Sequence, residues 1–271
     1  MAKTILITGA TDGIGLETAR LLVAAGHTVL LHGRSATKLA SVEATLSALP
    51  GAGTVETFLA DLSDLAAVDA LADAVTARHP RLDVLINNAG VFRTPDPLTA
   101  DGMDVRFVVN TLAPYRLTQR LLSLFGPGGR IVNLSSAAQA PVDIAALTGG
   151  ATLDPGNAYA QSKLALTLWS QHLAATLGAD GPVIVAVNPG SLLASKMVRE
   201  GYGIPGKDIG IGADILVRAA LADEFATASG RYFDNDSGRF ADPHPDAQDP
   251  LKVAAVVGAI ETCLANARPH S

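Results

Sequence analysis

"TILITGATDGIG" (residues 4–15) runs a short β-branched apolar stretch straight into a glycine-punctuated turn that opens a helical pattern. An apolar run of this length bounded by glycine reads as a buried strand. Gly9, Gly13 and Gly15 permit a tight turn, and they let backbone N–H groups approach a pyrophosphate at the positive end of the helix. The spacing is T-G-x-x-x-G-x-G, wider than the G-x-G-x-x-G dinucleotide fingerprint. A plain glycine-rich strand–helix turn has the same composition. The strand before and the helix after favour nucleotide binding by Gly9, Thr11, Asp12, Gly13, Ile14 and Gly15.

The same alternation continues down the chain. Strand-like runs recur at "TVLLH" (28–32), "TVETFLA" (54–60), "DVLIN" (83–87), "RIVNLS" (130–135) and "VIVAVN" (183–188). Alanine-rich stretches with helical periodicity separate them, at about 14–25, 36–48, 64–78, 101–124 and 157–177. Strands alternating with helices imply βαβ units. The predicted fold is α/β: one Rossmann-like domain over residues 1–271, a doubly wound parallel sheet with helices on both faces. After Pro189 the alternation weakens into a glycine-rich excursion (188–210) and a polar, proline-rich stretch (233–250), segments of the kind that bind or cover ligands.

Composition narrows the function classes. Of 271 residues 48% are hydrophobic and 17% charged, so a large core is expected and disorder is not. The net charge of −6, with no basic cluster, argues against nucleic acid and anionic membrane surfaces as partners. One cysteine, Cys263, cannot form an intrachain disulfide, which points to a reducing compartment. "LKVAAVVGAIETCLANA" near the C-terminus carries Lys252 and Glu261 and falls short of the roughly 20 apolar residues that span a bilayer, so it reads as a packing helix. A soluble, cytoplasmic protein is expected. The six histidines are dispersed and no Cys/His cluster occurs, so no metal is expected. "DNDSG" (234–238) lacks the spacing and the final glutamate of a calcium loop and reads as a turn.

Several motifs fall at the ends of the predicted strands. Where NAD-binding proteins carry an acidic residue after strand two, this chain has Gly33 and Arg34, followed by Ser35 and Lys38. A guanidinium pairs bidentately with a 2′-phosphate, which selects NADP(H) and leaves NAD(H) open. Asp61, beside Leu62 in "ADL", is placed to accept a hydrogen bond from an adenine amine. "NNAG" (87–90) ends strand four, where Asn87, Ala89 and Gly90 let a cofactor lie against the backbone. In "YAQSK", Tyr159 and Lys163 share a helix face. A tyrosine of ordinary pKa, about 10, is a poor proton carrier at neutral pH, and an adjacent ammonium stabilises its phenolate. Taken alone, that pair is an ordinary exposed one. Ser135 and Ser136, just past strand five, add a hydroxyl to anchor a substrate oxygen. Asn110, inside the 101–124 helix with no evident structural purpose, adds an amide for a relay water.

Together "TGATDGIG", "ADL", "NNAG", Asn110, "IVNLSS", "YAQSK" and "NPG" resemble the short-chain dehydrogenase/reductase family over nearly all of residues 3–235. The resemblance implies an NADP(H)-dependent oxidoreductase moving hydride between nicotinamide and a carbonyl or secondary alcohol. Its catalytic tetrad falls on Asn110, Ser136, Tyr159 and Lys163, with Ser136, the second serine, in the catalytic place. Asn110, Tyr159 and Lys163 also border the cofactor. Pro189 and Gly190 line it, and the residue facing the carboxamide departs from the pattern, with Ala194 at the usual hydroxyl position and Ser195 one later. The Ser136–Tyr159 gap holds an insertion, "PVDIAALTGGATLDPG", similar to those of retinol-dehydrogenase-like and protochlorophyllide-reductase-like members. Loops 92–100, 140–156 and 190–210 are expected to shape the substrate pocket. They carry few charges, which implies a small apolar substrate, and residues 233–271 form a C-terminal extension. The family's usual contact through 101–124 and 157–177 implies a homo-dimer or tetramer; an insertion covering it implies a monomer. Two alternatives share the scaffold: an epimerase or dehydratase, and a non-enzymatic NADP(H)-binding sensor.

Overall fold

The computed structural model describes residues 1–194, 197, 199 and 203–267. Eight strands form one sheet: β1 (Thr4–Ile7), β2 (Thr28–Gly33), β3 (Val55–Leu59), β4 (Val84–Asn87), β5 (Arg130–Leu134), β6 (Val183–Asn188), β7 (Tyr232–Asp234) and β8 (Arg239–Ala241). Their order is β3-β2-β1-β4-β5-β6-β7-β8. All neighbours are parallel except β7 and β8, which form an antiparallel hairpin with Phe233 opposite Phe240. The chain winds outward from β1 to β3, then returns to β4 on the other side. That reversal opens a crevice at the carboxyl ends of β1 and β4, where doubly wound sheets take ligands.

Helices cover both faces. On one lie α1 (Gly13–Ala24) and α2 (Ala36–Ser47); on the other lie α3 (Leu65–Arg78), α4 (Val105–Phe107), α5 (Ala113–Leu121), the short α6 (Ile144–Leu147) and α7 (Pro155–Leu177). Among the described elements, two later helices complete the layers, α8 (Gly210–Leu221) beside α1 and α9 (Pro250–Asn266) against α7. Strand residues alternate between the two cores: Ile5 and Ile7 face α1, whereas Leu6 faces the α3–α7 layer. Side-chain caps begin most of these helices, Asp12 on α1, Ser35 on α2, Asp64 on α3 and Asp154 on α7, the last followed by Pro155 at the first helical position.

Beyond the unexpected helices α6 and α8, the structure departs from the expected elements in two stretches. The 101–124 stretch is not one helix. It starts at Asp104, passes through a π-helical segment (Val108–Leu112), continues as α5 and ends in a 3₁₀ turn (Leu122–Leu124). Pro114 has no N–H to close an α-helical bond to the Asn110 carbonyl, so the ladder loosens there. The polar stretch after residue 232 contributes the β7–β8 hairpin, and "DNDSG" supplies its turn with Gly238 at φ 69°. Among the described residues no helix is long and apolar enough to cross a membrane.

Candidate active site

The glycine turn is built as a rigid cradle. Gly9 and Gly13 have φ of 66° and 58°, a region costly for other residues. A Cβ on Gly15 would lie 2.4 Å from both the Gly9 carbonyl oxygen and Asn88 Nδ2, so only glycine lets α1 sit this close. Asn88 donates from Nδ2 to the carbonyls of Thr8 (2.8 Å) and Gly9 (3.1 Å). Thr8 Oγ1 accepts the N–H groups of Asn88 and Ala89 at 3.0 and 3.1 Å. From the other side Gly9 N–H donates to His32 Nδ1 at 3.2 Å. His32 is buried, which pushes its pKa down to about 4. The neutral ring therefore carries its proton on Nε2 and donates it to the Ala60 carbonyl at 3.1 Å. Thr8, His32 and Asn88 hold the turn through tertiary contacts; Thr8 and Asn88 lie inside the quoted motifs but not among the expected site residues, and His32 lies in no site motif.

Around this cradle the predicted cofactor residues divide. Arg34 is exposed at the end of β2, with no hydrogen bond or ion pair to another described residue. Ser35 caps α2 by accepting from Lys38 N–H, and Lys38 Nζ lies 4.0 Å from Asp12, which caps α1. Thr11 packs over Gly33, whose Cβ would lie 2.7 Å from the Thr11 methyl. Asp61 folds one oxygen onto Ser63, leaving its exposed carboxylate at the end of β3, and Leu62 is buried in the core. The Asn87 side chain is buried and donates to Asn133 Oδ1 (2.8 Å) and Thr118 Oγ1 (3.2 Å), tying β4 to β5 and α5, so that it is the Asn87 backbone that faces the crevice end of β4. Pro189 is buried and Gly190, at φ 116°, follows it, while Ile14 lies under α8 against Gly212. Ser195 lies outside the described residues.

Tyr159 and Lys163 lie on α7, Asn110 reaches them from the π-helical segment through Ser162 and the chain beyond β4, and Ser136 lies just past β5. Lys163 is 2% exposed and its Nζ donates to the Leu134 carbonyl at 2.6 Å. Burial pushes its pKa down to about 8. The same Nζ stands 5.7 Å from the centre of the half-buried Tyr159 ring, and Phe92 meets that ring edge-on at 5.2 Å. Gly90 opens space beside these groups: a Cβ there would be 3.5 Å from Lys163 Nζ and from Asn110 Oδ1. The two serines take different environments. Ser135 Oγ is buried against Thr167 Oγ1 at 2.7 Å, whereas Ser136 is partly exposed on the loop beyond β5.

Asn110 has a structural purpose that its place in the sequence hides. Its Oδ1 accepts Val91 N–H at 2.8 Å, and Nδ2 donates to the Val91 carbonyl (2.9 Å) and to Ser162 Oγ (3.0 Å). Both amide hydrogens are thus committed, and the side chain ties the "NNAG" strand end to α7. Phe92, whose carbonyl faces the buried Arg106–Asp104 ion pair, is a further neighbour of Tyr159 that the motifs do not reveal.

Comparison with known proteins gives this arrangement a lineage. A family model described as short chain dehydrogenase matches residues 3–202. Retinol dehydrogenase 12 of Bos taurus is 35% identical over 254 residues, covering 89% of this chain and 80% of its own. An uncharacterized protein from Mycobacterium paratuberculosis superposes with a TM-score of 0.79 at 31% identity, over 96% of this chain and 92% of that one. A short chain dehydrogenase from Burkholderia cenocepacia, solved with NADP, gives 0.68 at 30% identity, over 88% and 97% of the two chains. A doubly wound sheet, a glycine cradle at its crevice and a tyrosine–lysine pair beside it are here joined to sequence kinship across most of the chain, and the protein belongs to the short-chain dehydrogenase/reductase family of oxidoreductase enzymes.

Proposed function

We propose that this enzyme transfers hydride between NADP(H) and the carbonyl or secondary alcohol of a small apolar substrate, with Tyr159 as general acid and base. The observation that carries this is the buried Lys163 ammonium beside the Tyr159 ring. The residues present fit the cofactor: Arg34 is exposed with no described partner, N–H groups open α1, and Gly90 leaves room beside Lys163. Arg34, with Ser35 and Lys38, would hold the 2′-phosphate, the first turn of α1 the pyrophosphate, and Lys163 the ribose hydroxyls. Bound NADPH supplies the hydride. Lys163, still mostly protonated at pH 7, stands beside the Tyr159 ring, where its charge stabilises a phenolate as the proton passes. Ser136 orients the substrate oxygen. The relay water belongs on the main chain at Asn110, to whose carbonyl Pro114 supplies no α-helical N–H, and not on the Asn110 amide, whose hydrogens are already committed.

An apolar substrate is supported by the exposed Leu98, Ile144, Leu192 and Ile204, one or two in each loop expected to shape the pocket. A relative named for retinol agrees with it. The test is NADPH consumption over a series of apolar aldehydes, ketones and quinones, with Tyr159→Phe beside wild type. Loss of at least about 100-fold in kcat is expected of the variant, in line with removal of a general acid. Equal turnover by both proteins would refute the role of Tyr159, and substrate conversion without net hydride transfer would favour an epimerase or dehydratase.

A further inference from the structure

Ser136 is held by its carbonyl from outside its own strand. That oxygen accepts two hydrogen bonds, from the Tyr232 hydroxyl of β7 at 3.1 Å and from Gln139 Nε2 at 2.9 Å. Two donors on one carbonyl fix the peptide plane that follows Ser136, and with it the direction in which the serine side chain leaves the backbone. The hydroxyl itself accepts Ala138 N–H at 3.1 Å, inside the same turn. Tyr232 is 5% exposed, and burial together with Asp234 and Asp236 pushes its pKa well up, so it remains a donor throughout the physiological range. Gln139 is fixed in turn, its Oε1 accepting the backbone N–H of His244 at 3.0 Å. His244 Nδ1 accepts Asp246 N–H at 3.2 Å, and Asp246 pairs with Lys252 of α9 at 2.6 Å. A continuous polar path therefore runs from the C-terminal helix to the Ser136 turn.

We propose that Tyr232 and Gln139 are positioning residues for Ser136, and that the chain beyond β7 serves the active site by bracing them. This inference rests on Ser136 orienting the substrate oxygen, as proposed above. Neither residue touches substrate in this role. Loss of either donor frees the peptide plane, and displacement of a catalytic oxygen by about 1 Å costs up to roughly 100-fold in rate.

The test is a pair of double-mutant cycles. Tyr232→Phe and Gln139→Met are each made in wild type and in Ser136→Ala, and NADPH-dependent turnover is measured with the best carbonyl of the series above. In the wild-type background each substitution lowers kcat about 5- to 50-fold while NADPH affinity, read by fluorescence, is unchanged. In the Ser136→Ala background neither lowers it further. Equal losses in both backgrounds would show that these residues act elsewhere and would overturn the proposal. Ser136→Ala turning over like wild type would overturn the role of Ser136 and this inference with it, a result visible separately. A second readout needs no substrate: amide hydrogen exchange at Ala138 accelerates in Tyr232→Phe, while exchange in the Gly9–Gly15 turn does not change. Unaltered exchange at Ala138 in a folded Tyr232→Phe protein also overturns the proposal.

Discussion

Arg34 and Lys163 are two cations near the carboxyl edge of one sheet, and their surroundings suit them to the two different tasks proposed for them. Arg34 stands exposed at the end of β2 with its guanidinium uncommitted among the described residues. It is poised for an anion that arrives from solvent and offers two oxygens. Lys163 is enclosed, its Nζ bonded to the Leu134 carbonyl among the described residues, and in the proposed role it acts on groups already inside. Arg34→Ala should weaken NADPH binding about tenfold or more, the value of one charge-assisted contact, and leave NADH binding nearly unchanged. Arg34→Lys should recover part of the loss, since an ammonium supplies charge without the bidentate fork. Paired dissociation constants for the two coenzymes, measured at fixed ionic strength, decide the matter. Equal losses for NADPH and NADH would place Arg34 outside the 2′-phosphate site. The exposed Lys38–Asp12 pair adds little stability of its own at 4.0 Å.

At the scale of elements, the glycine turn is fixed by Thr8 just past β1, His32 of β2 and Asn88 just past β4. Gly15→Ala drives a methyl into the Gly9 carbonyl and Asn88 Nδ2, both 2.4 Å away and both already bonded, so α1 must shift off its strand. A loss of about 1–3 kcal/mol is expected from such overpacking, with weaker NADPH binding beyond it. Gly258→Ala is the counterpart: it lies within α9, where an added methyl meets nothing inside 4 Å, so it should stabilise by up to about 1 kcal/mol. Urea denaturation of the two variants reads both signs. These elements were unequally legible. "VIVAVN" matches β6 residue for residue, because a strand buried on both faces has a continuous apolar signature. The three-residue strands β7 and β8 are too short to show a period, and only their place at the sheet edge makes them strands. Tyr159, Lys163 and the serine pair stand out because the acid–base chemistry proposed for them restricts the residue types that suit it. His32, Asn88, Phe92 and Tyr232 act through partners 23 to 96 residues away or across a ring contact, and no local pattern encodes such pairings.

The whole molecule bears a cost for keeping an ammonium between its sheet and α7. Folding lowers the pKa of Lys163 to about 8 by desolvation, against about 10.4 in an unfolded chain. Between those values the unfolded chain binds a proton that the folded protein has released, so stability rises with pH across the window. Below pH 8 both states are protonated and the folded one carries the full burden, on the order of 3 kcal/mol for a shift of this size. Lys163→Met removes the titration and keeps much of the volume. The stability difference, variant minus wild type, should therefore be largest and flat from pH 6 to 8, then shrink steadily toward pH 10. The unpaired Leu134 carbonyl left behind lowers the variant by a constant amount and does not alter the slope. Tyr115, Tyr232 and Cys263, whose pKa values burial raises, are common to both proteins and cancel in the difference. Coenzyme-free urea titrations at unit pH steps measure it. A difference that stays level to pH 10 would mean that the ammonium is hydrated in the free enzyme and that its hold on Tyr159 is weaker than its burial implies.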